Sequence, residues 1–132
     1  MSGIEFKLSN KIANINFNNI STKNSLDANN LKKISEFLKK IININLNCLI
    51  ITSSGDTFSS GMNLKEFSIG NLCKNPISEV CDLIESLPFI SMCLINGPVY
   101  GGSVELVIST DFRIGSKNCK IQIPASKFGI HY

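Results

Sequence analysis

Ile95-Asn-Gly-Pro-Val-Tyr-Gly-Gly-Ser-Val-Glu-Leu-Val-Ile-Ser-Thr-Asp111 is the stretch whose reading decides the fold. It closes a largely apolar run, residues 89–95, crosses a loop holding Gly97, Pro98, Gly101 and Gly102, and opens into residues 104–108, where Glu105 is the one charge. This is the pattern of a strand turning into a helix with its first amides aimed at a ligand. Two adjacent glycines carry no Cβ, so another molecule can come close to the backbone. The first amides of a helix lack internal partners and carry partial positive charge. Such a spot suits an anion, or a carbonyl oxygen on its way to becoming one. Glu105 lies three residues after Gly102, on the same turn. Set among Val104, Leu106, Val107 and Ile108 it is partly desolvated, a setting that favours proton transfer. A glutamate at this place also suits a helix cap, and the spacing leaves both roles open.

Upstream, residues 4–8 and 12–17 alternate apolar and polar side chains around Ser9-Asn10-Lys11, a hairpin signal. Around a start at Asp27, the residues Leu26, Leu31, Ile34, Leu38, Ile41 and Ile42 recur at helical spacing, with Lys32, Lys33, Lys39 and Lys40 on the other side. The run Cys48-Leu-Ile-Ile-Thr52 reads as a strand buried on both faces. A turn-rich loop, residues 53–62, enters a helix near Asn63. Residues 72–87 carry Ile77, Val80, Cys81, Ile84 and Leu87 at helical spacing up to Pro88, with Glu79, Asp82 and Glu85 on a solvated face. Residues 111–114 and 120–123 read as short strands around Gly115. Strands alternating with helices imply an α/β domain with crossover connections.

The 132 residues fit one modest domain, 1–132, and 43% hydrophobic content is enough to build its core. A net charge of +3 with scattered lysines gives no basic stripe for nucleic acid. The start lacks the charged and apolar parts of a leader, and no apolar run reaches the ~18 residues of a membrane span. The expectation is a soluble cytoplasmic protein. Five cysteines without metal-ligand spacing are expected to be reduced, and no metal site is expected.

The quoted stretch, together with residues 121–130, resembles the signature of the crotonase (enoyl-CoA hydratase/isomerase) superfamily. The matching residues are Gly97, Gly101-Gly102, Glu105-Leu106, Asp111 to Ile114, Pro124 and Phe128-Gly129-Ile130. A second block, Gly55, Phe58, Ser59-Ser60, Gly61, Met62, Leu64 and Lys65, is similar to the family's first active-site loop, with Asn63 where aspartate is usual. A third, Lys23-Asn24-Ser25-Leu26, matches the basic-Asn-small-Leu loop. The resemblance implies a spiral of ββα units and an acyl-coenzyme A substrate, without a permanently bound cofactor. It also implies an oxyanion hole made by the N–H groups of Met62 and Gly102, with Glu105 as acid and base. Substrate contacts are implied at Lys23, Ser60, Gly61, Lys65, Gly101 and Tyr132, with Lys23 and Lys65 facing coenzyme phosphates. A homotrimer or hexamer is implied for full-length members.

Two departures bear on the chemistry. Hydratases of the family pair the first glutamate with a second just after the proline, and here that position is Ala125. Decarboxylases of the family lack it and use a tyrosine placed where this chain has Tyr132. The implied activities are hydration or dehydration of an enoyl-CoA, decarboxylation of an acyl-CoA, or thioester binding without turnover. The match ends where the family's core is half built. The expectations are therefore a fragment lacking the C-terminal half and some apolar surface left exposed.

Overall fold

The computed structural model describes residues 3–63, 65–66 and 76–128. β1 (Ile4–Ser9) and β2 (Ile12–Phe17) pair antiparallel, as the alternation predicts. Asn10 and Lys11 both take positive φ, 52° and 61°, the conformation a two-residue hairpin turn demands. α1 (Ala28–Ile41) starts at Asp27, whose carboxylate accepts the Asn30 N–H at 2.6 Å. It ends with Lys39 and Lys40 in the last turn, where cations meet the negative end of the helix. Leu31, Ile34, Leu38 and Ile41 form its buried face, and each full burial contributes about 2 kcal/mol.

β3 (Cys48–Ser53), β4 (Ile90–Ile95) and β6 (Phe112–Gly115) extend the sheet in parallel, in the order β1-β2-β3-β4-β6. α2 (Pro76–Glu85) packs against α1 and against α3 (Ser103–Ser109). Ala13, Ile15 and Phe17 from β2, Leu49 and Ile51 from β3, and Cys93 and Ile95 from β4 enter one core with Ile77, Val80, Ile84, Val104, Leu106 and Val107 from the helices. Glu79 is on the exposed side of α2 as expected, yet it accepts from Ser35 Oγ and Lys39 Nζ of α1 and so ties the two helices.

Three expectations need correction. β3 is buried on one face; Cys48, Ile50 and Thr52 on the other are half-buried. That second sheet face is open, and Ile90, Phe112 and Ile114 are 48%, 54% and 60% exposed on it. The stretch 97–102, read as loop throughout, contains a strand, β5 (Val99–Tyr100). The strands flanking Gly115 do not pair with each other: β6 joins β4, whereas β7 (Ile121–Gln122) joins β5 in parallel.

β5 and β7 belong to a stack. Leu26 bridges Met62 and Ser59 bridges Val99, both in parallel. The segments around 26, 59–62, 99–101 and 121–122 therefore lie side by side, one from each circuit of the chain. Each circuit runs from a long strand to a short stacked segment and, in the first three, on through a helix to the next long strand. This is the crotonase α/β fold, a spiral of ββα units. Among the described residues, no helix is long and apolar enough to cross a membrane.

Candidate active site

The stack brings the two glycine turns together. Tyr100 N–H donates to Ser59 C=O at 3.0 Å, and Phe58 and Ser59 N–H both donate to Pro98 C=O. On the other side of the same segment, Ser60 N–H donates to Lys23 C=O, Leu26 N–H to Gly61 C=O and Asn63 N–H to Leu26 C=O. In a parallel ladder a residue flanked by such a pair of bonds points its own N–H the other way. Met62 N–H thus turns from Leu26 toward the side where β5 and Gly102 lie.

Gly61, at φ +97°, has its backbone against Tyr100 and Gly101: a Cβ placed on it would sit 2.7 Å from Tyr100 O and 3.6 Å from Gly101 Cα. A Cβ on Gly102 would sit 3.1 Å from Met62 Cγ. Gly101 N–H is taken by Gln122 C=O at 3.0 Å, so β7 fixes the second turn as Leu26 fixes the first. Gly102 is the N-cap of α3, with Val104 N–H on Gly101 C=O and Glu105 N–H on Gly102 C=O. Among the described residues, neither Met62 N–H nor Gly102 N–H has a protein acceptor.

Glu105 sits half-buried on the first turn of α3. Burial pushes the thiol of Cys81 on α2 up to about 11, a hydrogen bond with Ser109 opposes the rise, and the charges of Glu105, Glu85 and Asp82 add to it. Lys23 is exposed at φ +53°, on the loop whose carbonyl receives Ser60 N–H, so Lys23, Ser60 and Gly61 are neighbours. Lys65 is exposed on the turn after Met62, its N–H on Asn63 Oδ1 at 3.3 Å. Asn63 thus closes a turn, and the rest of the helix expected from Asn63 falls largely outside the described residues. Ala125 opens a short 3-10 turn directly beyond β7. Tyr132 lies outside the described residues.

A family model for enoyl-CoA hydratase/isomerase matches residues 7–132. The chain belongs to the enoyl-CoA hydratase/isomerase family. The enoyl-CoA hydratase of Bacillus anthracis superposes with a TM-score of 0.87 at 25% identity, over 97% of this chain and 53% of that one. An enoyl-CoA hydratase/isomerase from Marinobacter aquaeolei gives 0.87 at 15% identity, over 99% and 55%. The chain thus spans about half the length of the solved family structures it matches, and corresponds to their N-terminal portion.

The sequence reading gave no individual role to several residues that hold these loops together. Asn24, 2% exposed, donates to Ser54 and Thr57 carbonyls and accepts Asn19 N–H, locking the first loop. Asn96 donates to the Ser53 and Gly55 carbonyls and so binds the end of β4 to the loop before Phe58. Ser59 and Ser103 are both fully buried and share a hydrogen bond.

Proposed function

We propose that this chain carries the thioester-activating half of an acyl-coenzyme A enzyme. The carbonyl oxygen of the thioester sits between Met62 N–H and Gly102 N–H, and Glu105 moves the proton. The reading is supported by one observation above all: among the described residues the amides of Met62 and Gly102, 40 residues apart in sequence, have no protein acceptor, and each follows one of two glycines packed close together, Gly61 and Gly101. Electron density pushed onto the thioester oxygen as an enolate is stabilised by such fixed donors. Removing one typically raises the barrier by about 2.7–4 kcal/mol. In hydration, water adds its hydroxyl to the β-carbon of the enoyl group while the α-carbon, carrying the enolate, takes the proton. Lys23 and Lys65, both exposed beside the first turn, supply positive charge for the coenzyme's phosphates. Assembly into the trimers or hexamers expected of the family belongs to the same proposal.

Ala125 favours a second reading. With one carboxylate where hydratases use two, decarboxylation of an acyl-CoA, which needs the enolate hole but no activated water, is the alternative; thioester binding without turnover is the third outcome. The test offers crotonyl-CoA and methylmalonyl-CoA to the protein and to Glu105→Gln. Hydration falling about 10²–10⁴-fold in the variant supports the acid/base role. Equal turnover in the two proteins removes Glu105 from the mechanism, and release of CO2 selects decarboxylation.

A further inference from the structure

Ser59 Oγ lies 2.8 Å from Asn24 O, 3.2 Å from Gly61 N and 2.5 Å from Ser103 Oγ. A carbonyl can only accept, so the single Ser59 hydroxyl proton goes to Asn24 O. Ser103 must then be the donor in the short contact. Ser59 Oγ gives one bond and receives two, which exhausts a hydroxyl. Both serines are 0% exposed, so water cannot substitute. The residue after Gly61 is Met62, and the residue before Ser103 is Gly102. The hydroxyl pair therefore grips each turn one residue away from the amide proposed to meet the thioester oxygen.

Resting on that reading of the site, we propose that Ser59 and Ser103 are positioning residues that set the separation of the two amide donors. They carry the registration from Asn24 through to the start of α3. Among the described residues, backbone pairing between the two segments ends with Tyr100 N–H on Ser59 C=O, so the hydroxyl pair is the hydrogen bond that carries the link on to the start of α3. An anionic oxygen held at hydrogen-bond length is more sensitive to that separation than a neutral carbonyl, because charge-assisted bonds are shorter and about twice as strong. The pair thus acts on the enolate and leaves ground-state binding to other contacts.

The test compares two probes by calorimetry: crotonyl-CoA, and a coenzyme A analogue bearing an anionic nitronate in place of the thioester carbonyl. In the natural protein the nitronate binds more tightly; if it does not, the enolate-hole reading itself fails and the positioning role falls with it. In Ser103→Ala, nitronate affinity is expected to fall at least tenfold while crotonyl-CoA affinity stays within about twofold. Equal losses for both probes, or no loss for either, overturn the positioning role while leaving the hole in place. Should Ser103→Ala fail to fold, Ser103→Cys fills the site with a larger sulfur that weakens the donor and lengthens the contact, and the same ratio is read.

Discussion

The turns at Gly61 and at Gly101 each lead into an amide without a protein acceptor among the described residues, and they reach it by different means. The first is an extended segment that bends at a single glycine with φ +97°, and it is paired on both sides, to Leu26 and to β5. The second uses two glycines: Gly101 bends the chain at φ +58°, and Gly102, at φ −60° and ψ −23°, already has helical geometry. Around Gly61 there is no spare volume, whereas a Cβ on Gly101 would meet nothing nearer than Gly61 Cα at 4.0 Å. The donor at Met62 is held by crowding and the donor at Gly102 by the onset of a helix. Substitutions should therefore be severe at one turn and mild at the other.

The sharpest break of that contrast is the pair Gly61→Ala and Gly101→Ala. At Gly61 the added methyl combines a positive φ with a 2.7 Å approach to Tyr100 O, a backbone atom of β5. Strain and overpacking together should cost about 3 kcal/mol. At Gly101 only the left-handed conformation is penalised, about 1–2 kcal/mol. Urea titrations of the two variants should show midpoints well apart, with Gly61→Ala the lower. Equal midpoints would mean that the first turn relaxes freely.

Much of this was legible beforehand because local chemistry decides it. The β1–β2 hairpin followed from alternation around Asn10, α1 from Asp27 and the spacing of Leu31, Ile34 and Leu38, and α3 from Gly102 onward. The family followed from ordered motifs around Gly61 and Gly102. What escaped depends on partners far away in sequence. Val99 and Tyr100 become a strand only because residues 59 and 121–122 flank them, and two residues between glycines carry no period to read. β6 and β7 look like hairpin arms, yet each finds a parallel partner in a different sheet. The roles of Ser59 and Ser103 are invisible without the stack, since a serine beside glycine reads simply as turn chemistry.

Cys93 sharpens the comparison from behind, since it lies on β4, which leads into the second turn. Burial pushes its thiol up to about 12, partly offset by a hydrogen bond with Thr110 and by Arg113. The unfolded chain releases this proton near pH 9, so the folded state is favoured fully below that pH and loses the advantage as pH rises toward 12. Between pH 8 and pH 10 the natural protein should lose about 1 kcal/mol more than Cys93→Ala does. Urea midpoints at the two pH values measure it. Parallel losses in both proteins would show that water reaches the base of the second turn, and its rigidity would then need another source.

Gly102→Ala should change stability least of all. Its backbone, at φ −60° and ψ −23°, accepts a Cβ without strain, and alanine is only slightly poorer than glycine at an N-cap, by about 0.5 kcal/mol. The 3.1 Å approach to Met62 Cγ adds little, since an atom of a flexible side chain can swing aside. The urea midpoint should fall by the equivalent of no more than about 1 kcal/mol. Function should not be spared in proportion. The displaced Met62 side chain and the new methyl share the space beside the Met62 and Gly102 amides, so crotonyl-CoA binding should weaken in a variant nearly as stable as its parent. A stable variant that binds crotonyl-CoA normally would place the thioester away from Gly102, and the likeness between the two turns would then be one of shape without shared chemistry.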